Sequence, residues 1–457
     1  MQAANISRDA RIVIIGAGAA GLCTAWYLKS AGFKHVRVLE KSPRLGGKCR
    51  SLTVGGQSFD LGANYITSAY ARVRELAAHA GATMYTEKAG HVIDVKTGEM
   101  RSILSEVLRR TSLLTLAWQS LRYLVLRWRL RGLLSPAKPG FAHVRDSPQL
   151  HGSFEDWLRR NRLDALVEMF DIPLTLMGYG KLDGVAAVYG LTYMSPGTFK
   201  DLGLFAANVP RWLRGWPKRF TQGYERMFDR LAVEIDVLTG VQIEHVTRDE
   251  QQVSVKYWLL EQQLENDSAV PETETFDYLV LACPQLPKVL EPFLQLSEKE
   301  RQLFGQVIFN PFYVTTYEAP GTERIAAVTF SLPEPSVGQP FVVTRQYPQN
   351  DFISVYSRGD RGDEIHRAEI EANNETFLGM IGARDVRKHG STSNDWAYFP
   401  HVPYPAVDGG FYNELDELQG VNRTFYCGGL LAFELVEAIA EYSHHLVQKH
   451  FAGEVTG

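Results

Sequence analysis

"RIVIIGAGAAGLCTAWYLKSAGFKHVRVLEKSPRLGGKCRS", residues 11–51, decides the fold. Ile12–Ile15 is a short run of apolar, β-branched residues, the composition of a parallel strand buried on both faces. It breaks into Gly16-Ala17-Gly18-Ala19-Ala20-Gly21, and from Leu22 the apolar residues fall at helical spacing as far as Ala31, where Gly32 stops them. Val36–Leu39 reads as a second strand and ends at Glu40. A strand, a glycine turn, a helix and a strand make the unit that holds a dinucleotide. In that unit Gly16 makes the tight turn, and Gly18 lets the backbone approach a pyrophosphate at the helix N-terminus. Gly21 lets the helix press on the strand. Glu40 follows Gly21 by 40 − 21 = 19 residues, where a carboxylate can accept both ribose hydroxyls.

The next residues distinguish one dinucleotide from another. "SPRLGGKCRS" (42–51) sets two more glycines and three cations directly after the acid. A nicotinamide domain has no need of this second basic turn. A flavin adenine dinucleotide stretched across the same sheet does, because Arg44, Lys48 and the Gly46–Gly47 backbone can reach its phosphates, with Lys41 beside them. "FDLGANYI" (59–66) then reads as a strand and turn that carry Gly62, Ala63, Asn64 and Tyr65 close to a planar ring. On these motifs the segment resembles the flavin-containing amine oxidase superfamily, with its paired glycines after the acidic residue and its Asp-x-Gly-Ala turn. The resemblance implies noncovalently bound FAD. It also implies an α/β fold: a discontinuous Rossmann-like FAD-binding domain of the amine oxidase type, with an α+β substrate domain.

Composition agrees with a soluble globular enzyme. At 457 residues and 51.4 kDa the chain exceeds one ordinary core, so two domains are expected. Apolar residues are 45% and charged residues 22%, and a net charge of −4 gives no reason to expect nucleic acid as a partner. Cys23, Cys49, Cys283 and Cys427 form no CxxC pair, so neither a disulfide framework nor a metal site is expected. No apolar stretch precedes the first strand, which makes a cytoplasmic enzyme the expectation. Oligomeric state is not legible.

Later segments complete the FAD domain. "GVQIEHVTRDEQQVSVKYW" (240–258) alternates like paired strands, and "FDYLVLACP" (276–284) is a buried strand. The segment 424–451, "TFYCGGLLAFELVEAIAEYSHHLVQKHF", is a strand, a glycine turn and a helix. The resemblance implies that Val241 presents its backbone to adenine and that Ala282–Pro284 closes the sheet. It places Gly428 at the flavin, and the helix N-terminus at Leu435–Val436 against the isoalloxazine carbonyl O2. The FAD domain is therefore assigned to residues 8–85, 218–284 and 414–451. A helical insert (86–217) and a strand-rich insert (285–413), opened by a capped helix at "SEKERQLF", form the substrate domain. "EQQLENDSAVPETET" (261–275) reads as a polar hairpin loop.

Residues 107–145 hold eight Lys/Arg and no acid, and their longest charge-free run, Thr111–Leu121, is 11 residues. That is well short of the roughly 20 that spanning a bilayer requires. Two readings stand. One is a helical lid whose arginines face water while its Leu/Trp/Tyr face packs on the core. The other is an interfacial helix resting on an anionic membrane, giving peripheral membrane contact and delivering a lipophilic substrate. At helical spacing Trp118, Arg122 and Leu126 share one face, and Leu124, Trp128 and Arg131 share another, which fits a partly buried lid.

Three further stretches narrow the resemblance: "MGYGKLDGVAAVYGLTYM" (177–194), residues 394–429 with their Tyr-Phe-Pro-His, and "AIAEYSHHLV" (438–447). They are similar to the FAD-dependent polyenoic fatty acid isomerases, and the similarity runs over essentially the whole chain. That branch moves a double bond into conjugation by hydride removal and return, with aromatic side chains steadying an allylic cation and no general base. Amine oxidases usually carry a lysine near flavin N5. Here the matching strand, near Phe309–Asn310, has none, and no lysine lies between Lys299 and Lys388. Three positions depart from the isomerases. Their carboxylate-clamping arginine corresponds to Gly90-His91, and a flavin-facing phenylalanine to Met177. The superfamily's Ala-Gly-Glu turn is Cys427-Gly428-Gly429, without the acid.

The expected function is hydride abstraction from a hydrophobic, unsaturated small molecule, with no side chain assigned as a general base. The alternative enzyme is amine oxidase-like, acting on an amine or amino acid derivative. A noncatalytic flavoprotein is the third class. Candidate substrate-binding residues are Met177, Tyr179, Trp212, Trp216, Phe433 and His91. Cys427 is a candidate flavin contact, and no nucleophile elbow (G-x-S-x-G) is present.

Overall fold

The computed structural model describes residues 6–453 apart from 89, 137, 176, 266–269, 326–327, 333–335, 348, 360–366 and 392–395. Strand β1 (Arg11–Ile15) lies at the centre of a five-stranded sheet, with Ile12, Val13 and Ile14 removed from water. Its partners are β2 (His35–Leu39), β3 (Asp236–Leu238), β4 (Tyr278–Leu281) and β5 (Thr424–Tyr426), in the order β5-β4-β1-β2-β3. Every pairing is parallel. The sheet is thus assembled from three separated stretches of chain.

Helix α1 (Ala19–Ser30) begins three residues before the apolar periodicity does. Gly18 is its N-cap, in extended backbone, and no side chain caps it. The first amide groups are therefore left for another acceptor. A Cβ on Gly21 would lie 1.9 Å from the Gly16 carbonyl oxygen, so only glycine lets α1 cross its own strand this closely. Helix α3 (Val436–Leu446) packs on α1 from the far end of the chain.

Beside this core, Val241–Arg248, Val253–Leu259 and Glu272–Phe276 form an antiparallel three-stranded sheet. The segment expected as a loop opens with a short helix, Leu260–Glu265, and closes with the third strand, while 266–269 fall outside the described residues. The capped helix after residue 296 is Glu298–Phe304, with Ser297 and Glu300 making a reciprocal capping box.

A seven-stranded sheet forms the other half, in the order Arg387–Ser391, Phe312–Glu318, Phe352–Arg358, Pro340–Thr344, Val328–Leu332, Gly90–Asp94, Met100–Ser102. Two of its strands come from 86–217, which the sequence predicts as helical. "GHVID" is too short to show a clear alternation, and its strand character comes from pairing parallel to Val328–Leu332. The rest of 86–217 is largely helical, including α2 (Leu113–Arg129), capped by Ser112. Alternation puts Val92, Val314, Val342 and Tyr356 on one face with Leu61 and Phe205. Ile93, Tyr317, Val343 and Val355 face the opposite way, under the helix Arg367–Met380.

Gly21→Ala should therefore destabilise the fold by about 1–3 kcal/mol, since the added methyl overlaps a carbonyl on a rigid strand. A urea midpoint unchanged from the wild type would contradict this packing.

Candidate active site

The carboxyl ends of β1, β2, β4 and β5 open onto one cavity of about 1030 Å³. Ligands of open α/β sheets bind at such a crevice. Its volume lies at the top of the roughly 300–1,000 Å³ usual for ligand pockets, enough for a long cofactor and a second molecule. All the cofactor residues proposed from the sequence line it except Gly21, which is spent on packing against Gly16.

The residues fit a flavin dinucleotide. A Cβ on Gly18 would meet only the Gly47 Cα at 3.9 Å, so the space over the helix N-terminus is open to a phosphate. The second glycine turn closes onto the first: the Gly46 amide donates to the Ala17 carbonyl at 2.9 Å. Glu40 accepts from the amides of Ala17 (2.7 Å) and Ser42 (2.8 Å), which hold its carboxylate as a fixed acceptor at the end of β2. Arg44 lies on the wall and donates to the Gly47 carbonyl at 3.1 Å. The N-terminus of α3 has no side-chain cap either, and Leu435 and Val436 both face the cavity.

Lys48 is more constrained than a free phosphate ligand. Its ammonium donates to the Ala397 carbonyl (2.6 Å) and to Glu434 Oε1 (2.7 Å). Glu434 also changes the reading of the Cys427-Gly428-Gly429 turn. A Cβ on Gly429 would lie 2.2 Å from Glu434 Oε2, so the carboxylate occupies the space where a side chain at 429 would start. The carboxylate of a residue five positions later (434 − 429) thus stands where the turn lacks an acid. Glu434 Oε2 is buried on the cavity wall with no hydrogen-bond partner, an acceptor that a ligand hydroxyl would satisfy.

The other end of the cavity is aromatic. Tyr398 stacks on Phe312 (ring centroids 4.5 Å) and on Tyr179 (5.8 Å), and Tyr193, Tyr356 and Trp396 extend the wall. The phenols are pinned: Tyr398 donates to the Met177 carbonyl at 2.9 Å, and Tyr179 to the Glu434 carbonyl at 3.0 Å. Burial raises the pKa of Tyr179, Tyr193 and Tyr398 and pushes the Cys283 thiol up to about 12, so all four stay protonated near neutrality. Among the described residues no histidine lines the cavity, and Glu40 and Glu434 are its only carboxylates. Asn310 donates to the Gly178 carbonyl at 2.9 Å and so fixes the Gly-Tyr-Gly turn. Tyr65 is held by Arg219, which donates to its hydroxyl at 2.9 Å, lies over its ring at 4.4 Å and is ion-paired with the buried Glu87.

Of the substrate residues expected from the sequence, Met177 and Tyr179 reach the cavity. Phe433 stands behind Tyr179 at 4.8 Å between centroids, a second layer of the wall with positive φ, as at Phe399. His91 is placed in the seven-stranded sheet opposite Thr329. Trp212 projects into water from the one-turn helix Arg211–Arg214, which turns Arg214 inward. Trp216 packs under the Lys218 ammonium, 4.7 Å from its ring centroid. None of His91, Trp212 and Trp216 lines the cavity. Phe312 and Tyr356 were not singled out from the sequence, although strand alternation could have paired them.

The family model for flavin-containing amine oxidoreductases matches residues 19–358. Over 77 residues the chain is 45% identical to the neurosporene-forming phytoene desaturase of Rhodobacter capsulatus, covering 17% of this chain and 14% of that protein. Over 63 residues it is 41% identical to the 4,4'-diapolycopene oxygenase of a Methylomonas species, covering 14% and 12%. These matches thus span only a small part of either relative. Among solved structures, a CLA-producing fatty acid isomerase from P. acnes superposes with a TM-score of 0.80 at 24% identity, covering 97% of this chain and 99% of that one.

Two variants test the cavity's polar end. Gly18→Trp should leave the urea midpoint near that of wild-type apoprotein, because its side chain enters open space, yet yield colourless protein. Retained flavin absorbance would contradict the placement. Glu434→Ala should weaken FAD binding by about tenfold or more, the order expected for a charge-assisted hydrogen bond. Adding Gly429→Glu in that background should restore it. Titration of apoprotein by flavin fluorescence measures both, and an unchanged Kd in Glu434→Ala would remove Glu434 from the site.

Proposed function

The chain belongs to the flavin-containing amine oxidoreductase family, and from that premise we propose that it is an FAD-dependent double-bond isomerase. Its substrate is a hydrophobic, unsaturated small molecule such as a polyunsaturated fatty acid. The single observation that carries this reading is the character of the cavity's aromatic end. Met177, Tyr179, Tyr193, Phe312, Tyr356, Trp396 and Tyr398 surround it without a histidine or an ionised phenol.

Proton abstraction needs a base of suitable pKa within hydrogen-bond reach. None of these seven side chains is such a group. What the wall can do is exclude water, orient an apolar chain, and present ring faces to a carbon-centred cation. A bound flavin supplies an acceptor that takes a hydride and gives it back. Balance follows directly. A C–H bond between two double bonds breaks with its electron pair, and a C–H bond forms at a terminus of the delocalised cation. The double bonds become conjugated, and no oxidant is consumed. Glu40, Gly18 and the two glycine turns would hold the cofactor. Asn310, at the strand where amine oxidases usually carry a lysine, is committed to the Gly178 carbonyl. That supports isomerisation over net oxidation.

Anaerobic incubation with linoleic acid should produce conjugated-diene absorbance without hydrogen peroxide. Peroxide formed only from an amine under air would establish the amine oxidase-like alternative instead.

A further inference from the structure

Helix α2 turns its apolar side outward. Leu114, Trp118, Leu121, Val125 and Trp128 recur at intervals of four, three, four and three residues, and with Ala117 and Leu124 they cover an arc of about 120°. Leu114 is 83% exposed, Trp118 65% and Trp128 63%. The inward face carries Leu116, Tyr123 and, against the sequence expectation, Arg127. Tyr123 is locked there by its hydroxyl on the Met194 carbonyl, and its ring lies 5.1 Å from that of Phe170. The helix is therefore anchored in this orientation. An outward stripe of this size is not ordinary surface.

Charge identifies what covers it. Arg109 and Arg110 precede the helix, Arg129 ends it, and Arg131 and Lys138 follow, all open to solvent. Of these, Arg110 pairs with Glu168 at 2.9 Å, and Arg131 lies over the Trp128 ring at 4.3 Å. No acid lies anywhere in 107–145. A second copy laid on this face, parallel or antiparallel, would bring cation against cation at both ends. An anionic bilayer meets both features. Its headgroups pair with the arginines, tryptophans settle at the interface, and the aliphatic side chains enter the acyl boundary. The helix, 17 residues long, rises only about 25 Å, and among the described residues no helix is long and apolar enough to cross a membrane.

We propose that α2 is a membrane-docking helix that lies flat on anionic phospholipid through Leu114, Trp118, Leu121, Val125 and Trp128. The proposal does not depend on which substrate the cavity takes.

Sedimentation with vesicles of phosphatidylcholine, with and without phosphatidylglycerol, tests it on the flavin-loaded protein. Wild type should sediment with the anionic vesicles. Replacing Leu114, Trp118, Leu121 and Trp128 together by Gln should lower the partition coefficient at least tenfold at low and high salt, with flavin content unchanged. Arg129→Gln with Arg131→Gln should cost roughly fivefold per charge at low salt and less at high salt. Quenching of tryptophan fluorescence by brominated lipid gives a second readout on unmodified protein and should be present. Wild type that neither sediments nor is quenched would overturn the proposal. So would a dimer in solution that the apolar substitutions dissolve while vesicle binding is absent.

Discussion

The fold rests on places where main chain must touch main chain with no side chain between. At Gly21 a methyl group would sit inside the Gly16 carbonyl, and at Gly62 it would lie 1.7 Å from the Lys48 carbonyl oxygen. With the Gly46 amide on the Ala17 carbonyl, these contacts draw three segments together: the first turn of α1, the second glycine turn, and the turn after Asp60. With side chains excluded, bare amide groups and the uncapped end of α1 face one another across open space. That space is the polar half of the cavity, so the packing constraint and the binding site have one origin.

The aromatic half has a different physical basis. Its walls come from the Gly-Tyr-Gly turn, the strands at 312–318 and 352–358, and the Tyr-Phe-Pro segment. They are fixed by hydrogen bonds from buried phenols and Asn310 to main-chain carbonyls. The Glu87–Arg219 pair, buried and bonded to Tyr65, belongs with this support. A buried ion pair is a poor source of net stability, because desolvation opposes its attraction. Its evident structural effect is to hold a cavity tyrosine in place. Phe399 and Phe433 keep left-handed backbone, a conformation costing on the order of 1–3 kcal/mol each, and the ring cluster around Tyr179 holds them there.

Much of this was legible because it is local. Gly16, Gly18, Gly21 and Glu40 act through spacing along one strand–turn–helix unit, and spacing is what a sequence displays. Met177 and Tyr179 were reached through motif resemblance. The single-residue readings that differ from the structure concern the side a residue faces after packing, whereas the strands inside 86–217 and 261–275 take their character from pairing with other strands. Trp212 looks outward because Arg214 on the same turn looks inward. His91 belongs to a sheet strand that pairs on one side with a strand more than two hundred residues away. On α2 the charges are unsegregated in the sequence, yet burial of Tyr123 and Arg127 leaves a continuous apolar face outside. Glu434 is not legible because nothing in the spacing shows that its side chain folds back over Gly429, five positions earlier.

In the proposed isomerisation the hydride leaves and returns within one substrate molecule, and none of the side chains at the aromatic end of the cavity acts as a base. This route is tested most directly with a fatty acid carrying deuterium at the carbon between its double bonds, incubated in ordinary water. The label should be retained in the conjugated product, moved to the new saturated carbon. Complete loss of the label to solvent during conjugation, with no transient bleaching of the flavin absorbance, would mean that a proton was removed, and would contradict it.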